Sequence, residues 1–164
     1  MFKIGIIGPE STGKSTLAHY LAKRYKGLLV PEYARTFVER KGTKEVTYEE
    51  LCSIARHQIG QLQSLTGNDA EICVFDTELI VTKVWFDYAF HQVPEWLESA
   101  IREFPMDVYL LTSPDIAWQS DPARYNGSDE MRVELFNRYQ KEIEDLQIPY
   151  YIIRHTDEES TRGQ

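Results

Sequence analysis

Short runs of β-branched, aromatic and glycine residues alternate along this chain with longer stretches whose apolar positions recur every three or four residues. Residues 3–7 are rich in isoleucine and glycine and predict a buried strand. After a glycine-containing turn, Leu17, Ala18, Leu21, Ala22 and Tyr25 share one helical face. Residues 28–30 form a second short strand, stopped by Pro31. Thr47 and Glu50 have the spacing of a capping box, and the helix they open carries Leu51, Ile54, Ala55, Ile59 and Leu62 on one side. Residues 72–75 predict a third strand, followed by a helix over 78–90. Pro94 suits the first position of a helix over 95–104. A fourth strand spans 108–111. Residues 113–127, with two prolines and one glycine, predict a loop. Met131, Leu135, Tyr139 and Ile143 recur every four residues in a helix over 129–146, and residues 150–153 make a fifth strand. The polar tail from Arg154 onward is expected to fray.

Strands alternating with helices, without internal repeat, low-complexity segment or linker, predict one α/β domain over residues 1–164 with a mostly parallel sheet. The chemistry enters at the first turn. Gly8-Pro9-Glu10-Ser11-Thr12-Gly13-Lys14-Ser15 fits the GxxxxGK(S/T) pattern, placed after a strand and before a helix. Gly8 and Gly13 let the backbone turn its N–H groups inward. Those donors, running through Glu10, Ser11 and Thr12, and the helix N-terminus bind phosphate oxygens. Lys14 reaches the outer phosphates, the Ser15 hydroxyl ligates magnesium, and Thr16 starts the helix. ATP and Mg2+ are the expected cofactors. The fold expected is that of a kinase-like P-loop nucleoside triphosphate hydrolase, with a five-stranded parallel sheet flanked by helices and an arginine-containing lid.

Other residues are candidates by position. Asp76 ends the third strand, where an acid completes a magnesium site; the competing reading is a helix N-cap. Glu32, in Val30-Pro31-Glu32-Tyr33-Ala34-Arg35, would face the crevice outside the carboxyl ends of the strands. There it could accept the proton of an attacking hydroxyl, or simply favour a helix dipole. The 113–127 loop carries Asp115, Trp118, Asp121 and Arg124, with Arg132 in the next helix. An arginine-bearing segment there suits a lid that closes on phosphates and offsets transition-state charge. Of the aromatic residues, Trp118 is the better candidate for stacking on a planar ring. Trp85, Tyr88 and Trp96 could line a pocket for such a ring too, but Trp85 and Tyr88 share a helical stripe and read more readily as core.

Composition narrows the classes. Charged residues make up 27% and the net charge is −8. No basic block stands out, so nucleic acid is not an expected partner. No apolar run approaches the roughly 20 residues that span a bilayer, and the N-terminus reads as a strand rather than a signal peptide. A cytoplasmic protein is expected, with self-association into a homo-oligomer left open. Cys52 and Cys73 form no CxxC pair and fit buried thiols. The four histidines show no metal spacing.

Neither an NKxD motif nor an LSGGQ-type segment occurs, which leaves a small-molecule kinase acting on a nucleoside or another small substrate. GPESTGKSTLA, VPEYAR, IARHQ, FDTELIVTKVW and PDIAWQSDPAR occur in this order. With them, residues 2–153 resemble the ribosylnicotinamide kinase domain of the NadR family. The resemblance implies ATP-dependent phosphorylation of the 5′-hydroxyl of nicotinamide riboside. Lys14 and Ser15 would serve ATP and magnesium, and Asp76 the metal or the substrate hydroxyl. Glu32, Tyr33 and Arg35 would meet the substrate, with Trp118, Asp121 and Arg124 in the lid. Glu32 and Asp76 both stand as candidate bases. Glu78 occupies a position where the family usually has aspartate. Nothing here matches the HxGH-type adenylyltransferase motif of bifunctional members. A kinase of another nucleoside or small alcohol, and a regulatory ATP-binding module without transfer activity, are the alternatives.

Overall fold

The computed structural model describes residues 1–115 and 128–155. The elements follow as β1 (Phe2–Ile7), α1 (Lys14–Arg24), β2 (Leu28–Val30), α2 (Tyr33–Lys41), α3 (Tyr48–Ser64), β3 (Ile72–Asp76), α4 (Leu79–Phe90), α5 (Glu95–Glu103), β4 (Val108–Thr112), α6 (Asp129–Asp145) and β5 (Tyr150–Ile153). The strands form one five-stranded sheet in the order β2-β3-β1-β4-β5, and every pairing is parallel. β1 is therefore central. Ile6 pairs with Asp76 of β3 and Ile7 with Leu111 of β4. The loop that leaves β1 is thus flanked by the ends of both neighbours.

Side chains alternate across the sheet, and each face buries a different layer. Ile6 and Val74 pack with Ala18 and Ala22 of α1; the two alanines let that helix lie close. Ile7, Cys73, Phe75 and Leu111 belong to a larger core on the other side with residues of α3, α4, α5 and α6. Buried Gln58 accepts from the Thr82 hydroxyl at 2.7 Å, which ties α3 to α4. Burial pushes the Cys73 thiol up to about 11, so it is inert packing rather than a reactive group.

All five strands lie where the pattern places them, within a residue at their ends. Three local expectations change. Helix α2 was not anticipated: none of its residues is buried, so its apolar stripe of Ala34, Phe37 and Val38 is short. Gly42, at φ 80, caps it by donating to Val38 O and was the available signal. Pro94 is the N-cap of α5 rather than its first residue. The start of the tail is held rather than frayed, because the His155 N–H donates to Asp115 Oδ2 at 3.0 Å. The capping box at Thr47 and Glu50 forms as expected, with both reciprocal hydrogen bonds. Thr47→Ala should cost about 1 kcal/mol, read as a lowered urea midpoint with an unchanged slope.

Candidate active site

The phosphate loop occupies residues 8–13, between β1 and α1. Gly8 has φ 152, and a Cβ there would overlap the Thr112 hydroxyl and lie 2.7 Å from the Thr112 carbonyl. Gly13, at φ 81, is the N-cap of α1, a left-handed position that suits glycine. Ser11 is also left-handed, at φ 56. The loop's carbonyls are engaged one after another. Pro9 O accepts from the Thr12 hydroxyl at 2.8 Å and from Lys14 Nζ at 2.7 Å. The Thr12 and Thr112 hydroxyls lie 2.5 Å apart, and Thr112 also reaches Ile7 O at 3.3 Å. Glu10 O and Ser11 O accept from Arg132 of α6, a residue expected near the lid and found buried against the loop. Lys14 is buried, Ser15 half-buried and Thr16 exposed.

At the end of β3 three polar residues sit nearly out of water. Asp76 is 3% exposed, Thr77 6% and Glu78 4%. Among the described residues, Asp76 Oδ1 and Thr77 Oγ1 have no hydrogen-bond partner. Asp76 does not cap α4; Glu78 does, accepting from the Ile80 N–H at 3.0 Å. Burial pushes the Glu78 carboxyl up to about 7, tempered by the Ile80 N–H, the Tyr109 hydroxyl and the Leu79 N–H. Thr77 has φ 70, a left-handed conformation that strains a β-branched residue. Its N–H donates to Ile6 O at 3.0 Å, which sets it beside the root of the phosphate loop. Hard oxygen donors suit magnesium, and the unpartnered Asp76 oxygen and the Ser15 hydroxyl are of that kind. No group of three or more His, Cys, Asp or Glu gathers as a metal site among the described residues. A cation here would complete its shell with phosphate oxygens and water.

Next to the loop opens a cavity of about 440 Å³, lined by Glu10, by Glu32, Ala34, Arg35 and Val38, by residues 44–46, by Leu51 and Ile54, and by Trp85, Tyr88 and Phe90. Glu32 is the N-cap residue of α2, yet its side chain makes no capping bond; the residue lines the cavity. Trp85 and Tyr88, read from sequence as core, are half-buried wall residues. Tyr139, fully buried behind them, has its hydroxyl pushed well up by burial and then by Glu10 and Glu32, while Trp85 donates to its oxygen. That bond fixes the indole. The Arg138 guanidinium lies 5.4 Å from the Tyr88 ring centroid, which steadies the second ring. Tyr33 stacks on His57 with centroids 3.5 Å apart and does not line the cavity. Arg35 does. Trp118, Asp121 and Arg124 lie outside the described residues.

A parallel sheet with a phosphate loop on its central strand, a strand-end aspartate and an adjoining acceptor-sized cavity defines a P-loop kinase fold. A family model described as an AAA domain matches residues 3–160, and the chain belongs to that family. It is 24% identical over 160 residues to the trifunctional NAD biosynthesis/regulator protein NadR of Escherichia coli, covering 96% of this chain and 39% of that protein. The NadR protein of Salmonella typhimurium is 23% identical, with 94% and 38% covered. The chain thus spans about two-fifths of the length of the curated relatives it matches. Among solved structures, NadR protein in complex with NR superposes with a TM-score of 0.77 at 20% identity, covering 99% of this chain and 46% of that one. Deoxyadenosine kinase from M. mycoides superposes at 0.60 and 17% identity, over 93% and 90%.

The strain at Thr77 yields a prediction. Thr77→Gly releases a left-handed threonine at about 1–3 kcal/mol and adds back up to about 1 kcal/mol of unfolded-chain entropy. The variant should gain about 1 kcal/mol in urea denaturation and lose turnover. A variant both more stable and fully active would show that the strain serves no purpose at the site.

Proposed function

We propose that this chain is an ATP- and magnesium-dependent small-molecule kinase that phosphorylates the 5′-hydroxyl of nicotinamide riboside. The product would be nicotinamide mononucleotide, in cytoplasmic NAD salvage. The observation that carries the reading is the cavity beside the phosphate loop, where the α4 rings of Trp85 and Tyr88 meet three glutamates, Glu10, Glu32 and Glu45, set against Arg35 and Lys44. A planar, positively charged pyridinium ring suits such walls, because a cation gains over aromatic faces and beside carboxylates. Among the described residues no helix is long and apolar enough to cross a membrane.

In the transfer, the acceptor hydroxyl oxygen bonds to the γ-phosphorus while the bond to the β–γ bridging oxygen breaks and ADP leaves. The hydroxyl proton passes to a carboxylate. Glu32 is the better base of the two sequence candidates, since it lines the acceptor cavity and does not cap its own helix. Asp76 is then left to the metal side, with Ser15. Magnesium, when bound, neutralises phosphate charge and orients the γ-phosphoryl group. Lys14 moves from Pro9 O to the outer phosphates, and the loop N–H groups hold them. Arg35 would orient the acceptor. In this reading Arg124 would offset transition-state charge, and Trp118 and Asp121 would contact the substrate.

Coupled ADP release with ATP, magnesium and nicotinamide riboside, beside a panel of ordinary nucleosides, tests the proposal. Selective stimulation by nicotinamide riboside is expected. Stimulation by another nucleoside would keep the mechanism and replace the acceptor. None at all would favour a regulatory ATP-binding module. Lys14→Ala should lower turnover by several orders of magnitude, on the order of 4 kcal/mol or more of transition-state stabilisation. Arg124→Ala should lower turnover with little change in ATP affinity; the reverse pattern would remove it from the transition state.

A further inference from the structure

We propose that Arg132 is a positioning residue for the phosphate loop, holding the Glu10 and Ser11 carbonyls outward so that the Ser11 and Thr12 N–H groups stay turned toward a bound triphosphate. Sequence position groups Arg132 with the arginines that would offset phosphoryl charge. The structure gives it other work. It is 1% exposed and the largest fully buried side chain among the described residues. Its Nε donates to Glu10 O at 3.2 Å and its Nη2 to Ser11 O at 3.4 Å. Nη1 meets Asp129 Oδ1 at 3.2 Å, one helical turn back.

The peptide bond is planar and trans, so its C=O and N–H point in opposite directions. The Glu10 carbonyl shares a plane with the Ser11 N–H, and the Ser11 carbonyl with the Thr12 N–H. Fixing two consecutive oxygens therefore fixes two consecutive donors. The arrangement falls where the loop needs it: Ser11 stands at φ 56 without being glycine, and Pro9 just before offers no N–H of its own. Neighbouring carbonyls have other partners, Pro9 O in Thr12 and Lys14 and Ile7 O in Thr112. The Glu10–Ser11 pair is met by Arg132 of α6. A rigid guanidinium fork spans two adjacent carbonyls; a single ammonium does not. Asp129, 83% exposed on its side chain, holds the fork's third corner.

This inference rests on the part of the proposed function that places a triphosphate in the loop, and not on the acceptor. The test is calorimetric binding of AMP-PNP with magnesium to the full chain and to Arg132→Lys and Arg132→Met. Binding is measured well below each variant's own melting temperature and alongside saturated turnover. Affinity should fall about tenfold for lysine and about a hundredfold for methionine, with turnover at saturating ATP falling by less than tenfold. Unchanged affinity in folded Arg132→Lys would overturn the proposal. So would a large fall in saturated turnover at wild-type affinity, which is the signature of a charge-offsetting arginine. Should methionine prevent folding, the lysine variant carries the comparison by itself. Wild-type protein that binds AMP-PNP but releases ADP with no acceptor would defeat the acceptor reading and leave this comparison intact.

Discussion

A backbone loop that turns its N–H groups toward an anion must turn its carbonyls away from it, and buried carbonyls need partners. Much of this structure follows from that requirement. Ile7 O is met by Thr112 of β4, Pro9 O by Thr12 of the loop and Lys14 of α1, Glu10 O and Ser11 O by Arg132 of α6, and Gly13 O by the Leu17 N–H of α1. Partners so scattered in sequence can converge only if the loop springs from the central strand. The order β2-β3-β1-β4-β5 provides that. The close fit of Gly8 against Thr112 is the same constraint seen from the side of sterics.

The two flanks of the loop differ in character. On the β3 side, Asp76 and Thr77 present buried oxygens without protein partners, one of them on a strained backbone. Such groups are costly unless something binds them. On the α2–α4 side the wall is largely apolar and aromatic, with Glu10, Glu32, Glu45, Arg35 and Lys44 as its charged members. Its rings are fixed from behind: Trp85 through Tyr139, and Tyr88 under Arg138. A rigid wall loses little freedom when a planar ring settles against it.

The fold is shared with deoxyadenosine kinase and thymidylate kinase. What this chain shares with them, at 13–17% identity, is the fold. The cavity beside the loop is walled here largely by α2, α3 and α4. In this chain that wall sets Glu10 and Glu32 beside Trp85 and Tyr88.

The sequence by itself determined the sheet and the phosphate loop. Strand runs, the Thr47–Glu50 box and the loop at residues 8–15 depend on neighbours a few positions away, where local sterics and periodicity decide. Asp76 and Glu32 were legible as candidates because a strand end projects its acid into the crevice. Tertiary structure alone decided the rest. Helix α2 buries no residue completely and so left a faint stripe. Trp85 and Tyr88 obey a helical period that reads the same whether the stripe faces core or cavity; only the neighbouring α2 and α3 leave open space beside them. Arg132 lies some 120 positions from the carbonyls it holds, and no pattern of local spacing encodes a partner brought in by the packing of a distant helix.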